Sequence, residues 1–317
     1  MTHNQHFDLY IASCRDDGGI YRYKLNEKGE TEFCGKTDCP EPMYMIRQKD
    51  KMYVLLRAPF ENSKESGLLV YHIAENGDLI NPSETIPTKG EIACHLTLWD
   101  DNIYAANYIS GSVIKIPDKV VIHNGYGVNK ERQEGPHTHY VGVTPDNKYL
   151  CVTDLGLDSI FLYDKNLNCV SVSKVSEGHG ARHIVFSEDS GHMFVANELM
   201  STLSVFSYED GKLTLKDTKS CLPDNFNGES TASAIRLHNG DIFVSNRGHE
   251  SIAQMGFDGK ALSLKGFIPC GGKTPRDFDF AKDIIISCNQ DSDNVVLINK
   301  DKQREIQIPA PVCVCIK

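Results

Sequence analysis

The chain has 317 residues, of which 33 are Lys or Arg and 43 are Asp or Glu, so its formal net charge at pH 7 is −10. Because nucleic acids and anionic membrane surfaces attract basic faces, this charge disfavours both as partners. A hydrophobic fraction of 40% and a charged fraction of 24% are ordinary for a folded protein, which excludes disorder and collagen.

The N-terminal segment MTHNQHFDLYIAS has no basic stretch followed by an apolar one, so we expect no signal peptide. No apolar run approaches the roughly 20 residues that span a bilayer. The 11 cysteines are scattered, odd in number and include no CxxC pair. This usage favours buried, reduced thiols over a disulfide framework and predicts a cytoplasmic protein.

Short β-strands are predicted along the chain, because alternating Val, Ile, Leu, Phe and Tyr are separated by Gly, Asn and Asp turns. After the N-terminal FDLYIAS, six segments repeat one plan: a strand, a turn, a strand that in most copies ends in Asn or Asp, a turn and a third strand. Their first strands fall near Tyr44, His95, His139, His183, Ala234 and Asp277. The spacing of 43 to 51 residues is the period of a propeller blade.

The N-terminal segment begins directly at a second strand and therefore lacks a first one. The C-terminal PVCVCIK, near Cys313, can supply it. We therefore predict an all-β fold, a single seven-bladed β-propeller domain over residues 1–317, whose ring is closed by the C-terminal strand pairing with the N-terminal blade. A β-sandwich or an irregular β-solenoid is the less favoured alternative.

The repeat also predicts where polar side chains meet. The first two strands of a blade form a hairpin, so the start of the first strand lies beside the end of the second. First-strand starts carry His95, His137, His139, Arg182, His183 and Arg276. Second-strand ends carry Tyr108, Asp154, Glu198, Arg247 and Gln290. We expect these groups at one mouth of the central channel, where clustered positive charge attracts anions.

Two other motifs are similar to known ligand-binding sequences. His137 and His139 form an H-x-H pair that would face one side of a strand and could bind a metal, but no third ligand is indicated, so no metal is expected. The segment GGKT, residues 271–274, lacks the earlier Gly of a phosphate loop and precedes a strand, which argues against a nucleotide site.

The segments ERQEGPHTHYV, GHGARHIVF, VANELMSTL, VSNRGHESI, TPRDF and CNQDSDNVV resemble the lactonase family of seven-bladed propellers. That family includes bacterial cytosolic 6-phosphogluconolactonases and fungal carboxy-muconate lactonising enzymes. The resemblance runs from about Ile92 to Val314 and is weaker towards the N-terminus. It implies an active site at His137 or His139, with Arg182, Glu198 and Arg247.

The resemblance implies hydrolysis of 6-phosphoglucono-δ-lactone to 6-phosphogluconate, in the pentose phosphate pathway. Opening a lactone needs an activated water, a stabilised oxyanion and a protonated leaving oxygen. Glu198, His137 and His139 remain alternatives for the general base, and Arg182 and Arg247 would hold the oxyanion or an anionic group. The expected substrate contacts are His95, His183, Arg276 and Gln290, with His183 and Arg276 as phosphate contacts.

The expected partner is a small anionic sugar lactone, with no cofactor, and the chain is predicted to be a monomer or a weak homo-oligomer. Two alternative functions remain open. A lactone-forming cycloisomerase of the muconate type would use the same residues to add a carboxylate across a double bond. A non-catalytic binding propeller would present its rim to other proteins.

Overall fold

The structure is a computed structural model in which residues 6–300 and 302–316 are described. These residues form 29 β-strands and one 3₁₀ turn, Gln290–Ser292, with no α-helix among them. The first twelve strands are β1 (His6–Ser13), β2 (Gly19–Asn26), β3 (Thr31–Asp38), β4 (Pro42–Gln48), β5 (Lys51–Leu56), β6 (Glu65–Ile73), β7 (Leu79–Ile80), β8 (Ile86–Glu91), β9 (Ala93–Trp99), β10 (Asn102–Asn107), β11 (Ser112–Ile116) and β12 (Lys119–Ile122).

The remaining strands continue the same alternation of apolar segments and tight turns. They are β13 (Thr138–Val143), β14 (Leu150–Asp154), β15 (Ser159–Tyr163), β16 (Cys169–Lys174), β17 (Ala181–Phe186), β18 (His192–Asn197), β19 (Thr202–Glu209), β20 (Lys212–Ser220), β21 (Thr231–His238), β22 (Asp241–Arg247), β23 (Ser251–Phe257), β24 (Leu262–Pro269), β25 (Pro275–Ala281), β26 (Ile284–Asn289), β27 (Asn294–Asn299), β28 (Lys302–Gln307) and β29 (Pro311–Ile316). No helix in the described ranges is long and apolar enough to cross a membrane.

The chain divides into two compact units. The first unit comprises residues 1–87 and 270–317 and contains three sheets, in the orders β29-β1-β2-β3, β4-β5-β6-β7 and β25-β26-β27-β28. Its apolar core includes the fully buried side chains of Tyr10, Met52, Leu9 and Ile11. Strand β8 crosses the boundary between the units.

The second unit, residues 88–269, contains four sheets. Each is antiparallel and meanders in chain order, from β9 to β12, β13 to β16, β17 to β20 and β21 to β24. In the sheet from β13 to β16, strand β14 is entirely buried, whereas the outermost strand β16 has only exposed and half-buried residues.

Seven sheets of this kind make the all-β, seven-bladed propeller that the repeat predicts. The predicted closure is confirmed as well, because β29 pairs antiparallel with β1 and the C-terminal strand thereby completes the N-terminal blade. The seven predicted first strands all fall inside observed first strands, from β4 round to β29. The extent of a single domain over residues 1–317 stays a prediction.

A β-bulge recurs at the start of the first strand in every blade. The register between the first and second strands shifts there, by one residue in six blades and with two residues of β21 opposite one residue of β22 in the seventh. The extra residues are Met43, Cys94, His139, Arg182, Ser233 with Ala234, Arg276 and Val312. Because a bulge re-aims a side chain away from the regular alternation, these are the positions from which polar groups can be presented together.

Candidate active site

A buried carboxylate surrounded by guanidinium groups marks the candidate site, which lies within the second unit. The Oε2 atom of Glu198 accepts a hydrogen bond from Arg182 Nε at 2.9 Å and lies 3.1 Å from Arg247 Nη2. Its Oε1 atom accepts from Arg132 Nη2 at 2.7 Å. One negative charge is therefore shared among three positive ones, which leaves the cluster net cationic.

The environment of Glu198 keeps it ionised. Burial alone would raise its pKa, but the charges of Arg247 and Arg182, followed by those of His139 and Arg132, outweigh burial and hold the pKa far below its usual range. A carboxylate that already accepts from three guanidiniums is a weak proton acceptor. Glu198 is therefore better suited to aligning the arginines than to activating water.

Backbone hydrogen bonds fix the positions of Arg182 and Glu198 relative to each other. Gly180 takes a left-handed φ of +70°, a conformation that costs a glycine little. Its N–H donates to Asp158 Oδ1 at 2.6 Å, and its carbonyl accepts from the Glu198 N–H at 2.7 Å. The turn before Arg182 and the end of the strand before Glu198 are thus tied together.

Histidine and aromatic rings line the neighbouring part of the site. His137 stacks on Tyr108 with ring centroids 4.6 Å apart, and His139 meets the same tyrosine edge-on at 5.4 Å. His137 Nδ1 lies 3.1 Å from the Tyr108 carbonyl oxygen and its Nε2 lies 3.1 Å from Glu134 Oε1, so both ring nitrogens have partners. The Nδ1 atom of His139 lies 3.7 Å from the Cys94 sulfur.

The structure differs from the expected H-x-H geometry. His137 precedes β13, which begins at Thr138, and His139 occupies the bulge, so the two rings do not project from a regular strand. They contact Tyr108 at different angles. Among the described residues, no three His, Cys, Asp or Glu side chains come together as metal ligands.

His95 and His183 are buried and pack beside His139 and Tyr140. The centroid of the His183 ring lies 5.2 Å from that of His95 and 5.1 Å from that of His139. Burial, and then the charge of Arg236, lowers the pKa of His95 to about 3. Burial, and then the charge of Arg182, lowers the pKa of His183 well below its ordinary value. Both rings are therefore neutral at pH 7, a state that favours packing over a phosphate contact.

These two histidines make stability depend on pH. The unfolded chain binds a proton at each ring near pH 6.5, whereas the folded chain does not, so the free energy of unfolding should fall as the pH drops below about 6.5. We expect a loss of about 2–3 kcal/mol for the pair between pH 7 and 5.5. Urea unfolding at both pH values measures it, and His183→Asn should halve the effect. Equal free energies of unfolding at the two pH values would contradict the neutral state of the two buried rings.

A second buried network supports the loop that leads to His137. Asp154 Oδ2 lies 2.6 Å from His123 Nδ1, whose Nε2 lies 2.8 Å from the Tyr163 hydroxyl. Asp154 Oδ1 accepts from the backbone N–H of His137 at 2.8 Å. Asp154, which the repeat placed at a second-strand end, therefore holds the start of β13 in place.

Two predicted substrate contacts, Arg276 and Gln290, belong to the first unit. Arg276 lies on the bulge of β25, and its Nη1 donates to Gln290 Oε1 at 3.3 Å. The structure thus brings these two residues together with each other. Their role as substrate contacts stays a prediction.

Sequence reasoning missed Arg132 and Arg236. Arg132 lies in the segment between β12 and β13, where no strand periodicity assigns a side-chain direction. The only available signal was its presence in ERQEGPHTHYV, a segment quoted for its histidines. Arg236 lies two residues past a two-residue bulge, which a period of two cannot anticipate.

Comparison with known proteins shows the family of the chain. Residues 8–316 match the profile of the family described as lactonase, 7-bladed beta-propeller. The chain belongs to this lactonase family. An uncharacterized protein of Staphylococcus aureus strain USA300 is 30% identical over 320 residues, which cover 91% of each chain.

Solved structures give the same result. A candidate 6-phosphogluconolactonase from Bacteroides fragilis is 26% identical, with a TM-score of 0.88 over 100% of this lactonase-family chain and 99% of its own. A periplasmic gluconolactonase from Pseudomonas aeruginosa has a TM-score of 0.89 over 98% and 99% of the two chains, but its 21% identity shows only the shared fold.

Proposed function

We propose that this lactonase-family protein is a 6-phosphogluconolactonase that hydrolyses 6-phosphoglucono-δ-lactone to 6-phosphogluconate. The observation that carries the proposal is the cationic cluster around Glu198: three arginines share one buried carboxylate in a chain whose net charge is −10. Such a cluster suits an anionic substrate and a reaction that develops negative charge on oxygen.

The proposed mechanism starts with a water molecule that attacks the lactone carbonyl carbon. In this proposal His139 takes the proton of that water. Glu198 is disfavoured because the buried guanidiniums of Arg182 and Arg247 both hold its carboxylate. His137 is disfavoured because its two ring nitrogens face the Tyr108 carbonyl and Glu134 oxygens. The ring of His139 lies 5.4 Å from that of Tyr108, whose hydroxyl oxygen is 3.4 Å from Arg132 Nη2, so His139 is close to the arginine cluster.

Arg182 and Arg247 are proposed to stabilise the oxyanion that forms on the carbonyl oxygen. A guanidinium has five donor hydrogens, so a contact to Glu198 uses only part of its capacity. When the tetrahedral intermediate collapses, the ring C–O bond breaks and the protonated His139 returns its proton to the leaving ring oxygen. Glu198 keeps the guanidiniums aligned through both steps, at no cost of reorganisation.

The finer parts of the proposal rest on the family resemblance. The product of this reaction would enter the pentose phosphate pathway, and the protein would act in the cytoplasm. The neighbour from Bacteroides fragilis, which is described as a candidate 6-phosphogluconolactonase, supports the same substrate class.

Substrate selectivity tests the proposal. We expect kcat/KM for the phosphorylated lactone to exceed that for plain gluconolactone by at least about 100-fold, because charge-assisted contacts to phosphate are worth on the order of 1.5–3 kcal/mol each. Raising the ionic strength should reduce the ratio, since part of the attraction acts through solvent. Both lactones are assayed at two salt concentrations with spontaneous opening subtracted. Equal kcat/KM values would reject a phosphorylated substrate.

A further inference from the structure

Arg132 differs from the other arginines of the cluster in its accessibility. Its side chain is 41% exposed, whereas those of Arg182 and Arg247 are 3% and 16% exposed. All three nevertheless contact the same carboxylate, whose own side chain is 4% exposed. Of these three guanidiniums, that of Arg132 is the one that a solute reaches first.

The two carboxylate oxygens of Glu198 contact different arginines. Arg182 and Arg247 both contact Oε2, whereas Arg132 contacts Oε1. If Arg132 moved to another anion, Glu198 would keep two cationic partners and would not be left as a buried, unpaired charge. If Arg132 exchanges Glu198 for a ligand anion, the buried carboxylate therefore stays paired, and Arg132 is the arginine of the three that is most exposed to such a ligand.

The backbone that carries Arg132 is held firmly. Asn129 Oδ1 accepts from the backbone N–H groups of Glu131 and Arg132, each at 3.1 Å. The buried side chain of Gln133 donates to the Leu155 carbonyl at 2.9 Å and accepts from the Asn129 N–H at 3.1 Å. The loop thus fixes the Cα of Arg132 while leaving its guanidinium partly in solvent, an arrangement suited to binding.

A hydroxyl group lies beside the same guanidinium. The Tyr108 hydroxyl oxygen is 3.4 Å from Arg132 Nη2. Burial, and then the charge of Glu198, raises the pKa of Tyr108. The hydroxyl therefore stays protonated and can donate a hydrogen bond to an anion. A planar, multidentate cation next to a hydroxyl donor matches the oxygens of a phosphate group.

We propose that Arg132, assisted by the Tyr108 hydroxyl, is the specificity-determining residue that binds the phosphate group of the lactone substrate, exchanging Glu198 Oε1 for a phosphate oxygen. This inference rests on the proposed function for the identity of the substrate. It differs from the sequence-based expectation, which assigned the phosphate to His183 and Arg276.

The test compares Arg132→Gln with Lys130→Gln, which removes the same charge from an exposed position of the same loop. We expect Arg132→Gln to lower kcat/KM for the phosphorylated lactone by about 10- to 100-fold, mainly through KM, because one charge-assisted contact is lost. Its kcat/KM for plain gluconolactone should also fall, because Glu198 loses one counter-charge, but by a clearly smaller factor, so the ratio of the two kcat/KM values is the readout. Arg132→Lys should recover part of the loss, and Lys130→Gln should behave as the wild type with both substrates.

Two results would overturn the inference. An equal loss of kcat/KM for both lactones in Arg132→Gln would show that the residue positions Glu198 and does not recognise phosphate. Indistinguishable behaviour of Arg132→Gln and Lys130→Gln would show that Arg132 makes only a solvated ion pair.

A binding measurement separates this inference from the proposed function. Calorimetry with 6-phosphogluconate and gluconate needs no turnover. We expect the wild type to bind the phosphorylated acid more tightly and Arg132→Gln to lose that difference. If the wild type hydrolyses neither lactone, the proposed function fails, and the calorimetry alone then decides whether Arg132 binds phosphate. Equal binding of the two acids by the wild type would overturn the inference.

Discussion

Deleting residues 311–317 should abolish cooperative folding at 25 °C. The deletion removes β29, which is the innermost strand of the N-terminal blade and pairs with β1. It would expose the edge of β1 and leave the Asp277 carboxylate without the Val314 N–H that donates to it at 3.1 Å. An uncovered inner edge is also a template for aggregation.

The magnitude follows from burial. Val312, Cys313 and Val314 are at most 4% exposed and belong to two core clusters of the first unit. Burying side chains of the Val class contributes about 1.5–3 kcal/mol each, so the loss is comparable with the whole stability of an ordinary domain, about 5–15 kcal/mol.

Calorimetry and circular dichroism on the truncated chain measure the effect. Val314→Ala is the matched control, because it keeps every backbone hydrogen bond of β29 and should cost only about 1–3 kcal/mol. A truncated chain that melts cooperatively within a few degrees of the full protein would contradict the structural role of the closing strand.

Exchanging His139 for Gln should produce the largest loss of activity. Gln keeps the ring's approximate reach and hydrogen bonding but cannot take a proton, and general base catalysis contributes about 10²–10⁴-fold. We therefore expect kcat of His139→Gln to fall by about that factor while the melting temperature changes little. A general base must be unprotonated to act, so we also expect wild-type kcat/KM to fall towards acid pH and this fall to disappear in His139→Gln.

Two companion variants separate the alternative bases. His137→Gln should lower kcat less than about 10-fold, because its ring nitrogens are already occupied. Glu198→Gln should lower activity and also destabilise the fold by about 3–5 kcal/mol, since the arginines lose their buried counter-charge. It should nevertheless keep the acid fall of kcat/KM. Loss of that fall in Glu198→Gln, with its retention in His139→Gln, would identify Glu198 as the base.

The architecture could be predicted because the period of the repeat is encoded along the whole chain. Strand positions such as those at His95 and Asp277 follow from alternation alone, and the missing first strand of FDLYIAS requires closure by the C-terminus. The proximity of Arg182, Glu198 and Arg247 was also predictable, since equivalent positions in neighbouring blades repeat in space as they do in sequence.

Other features depend on interactions that no local pattern encodes. The neutral state of His183 arises from its burial beside Arg182 and two other histidine rings, which come from separate blades. The Oε1 atom of Glu198 accepts a hydrogen bond from Arg132, which lies in an irregular loop between β12 and β13. Alternation therefore identified Arg182, Glu198 and Arg247 but not Arg132, and it could not distinguish a proton acceptor from a counter-charge.

The most direct test of the central claim is the initial rate of 6-phosphoglucono-δ-lactone hydrolysis by purified wild type and by His139→Gln, with spontaneous opening subtracted and the product identified by NMR. The account predicts 6-phosphogluconate as the product, a wild-type kcat within the usual enzymatic range of about 1–10³ s⁻¹, and a rate for folded His139→Gln at least about 100-fold lower. A wild-type rate equal to the spontaneous one, or a folded His139→Gln protein as active as the wild type, would contradict it.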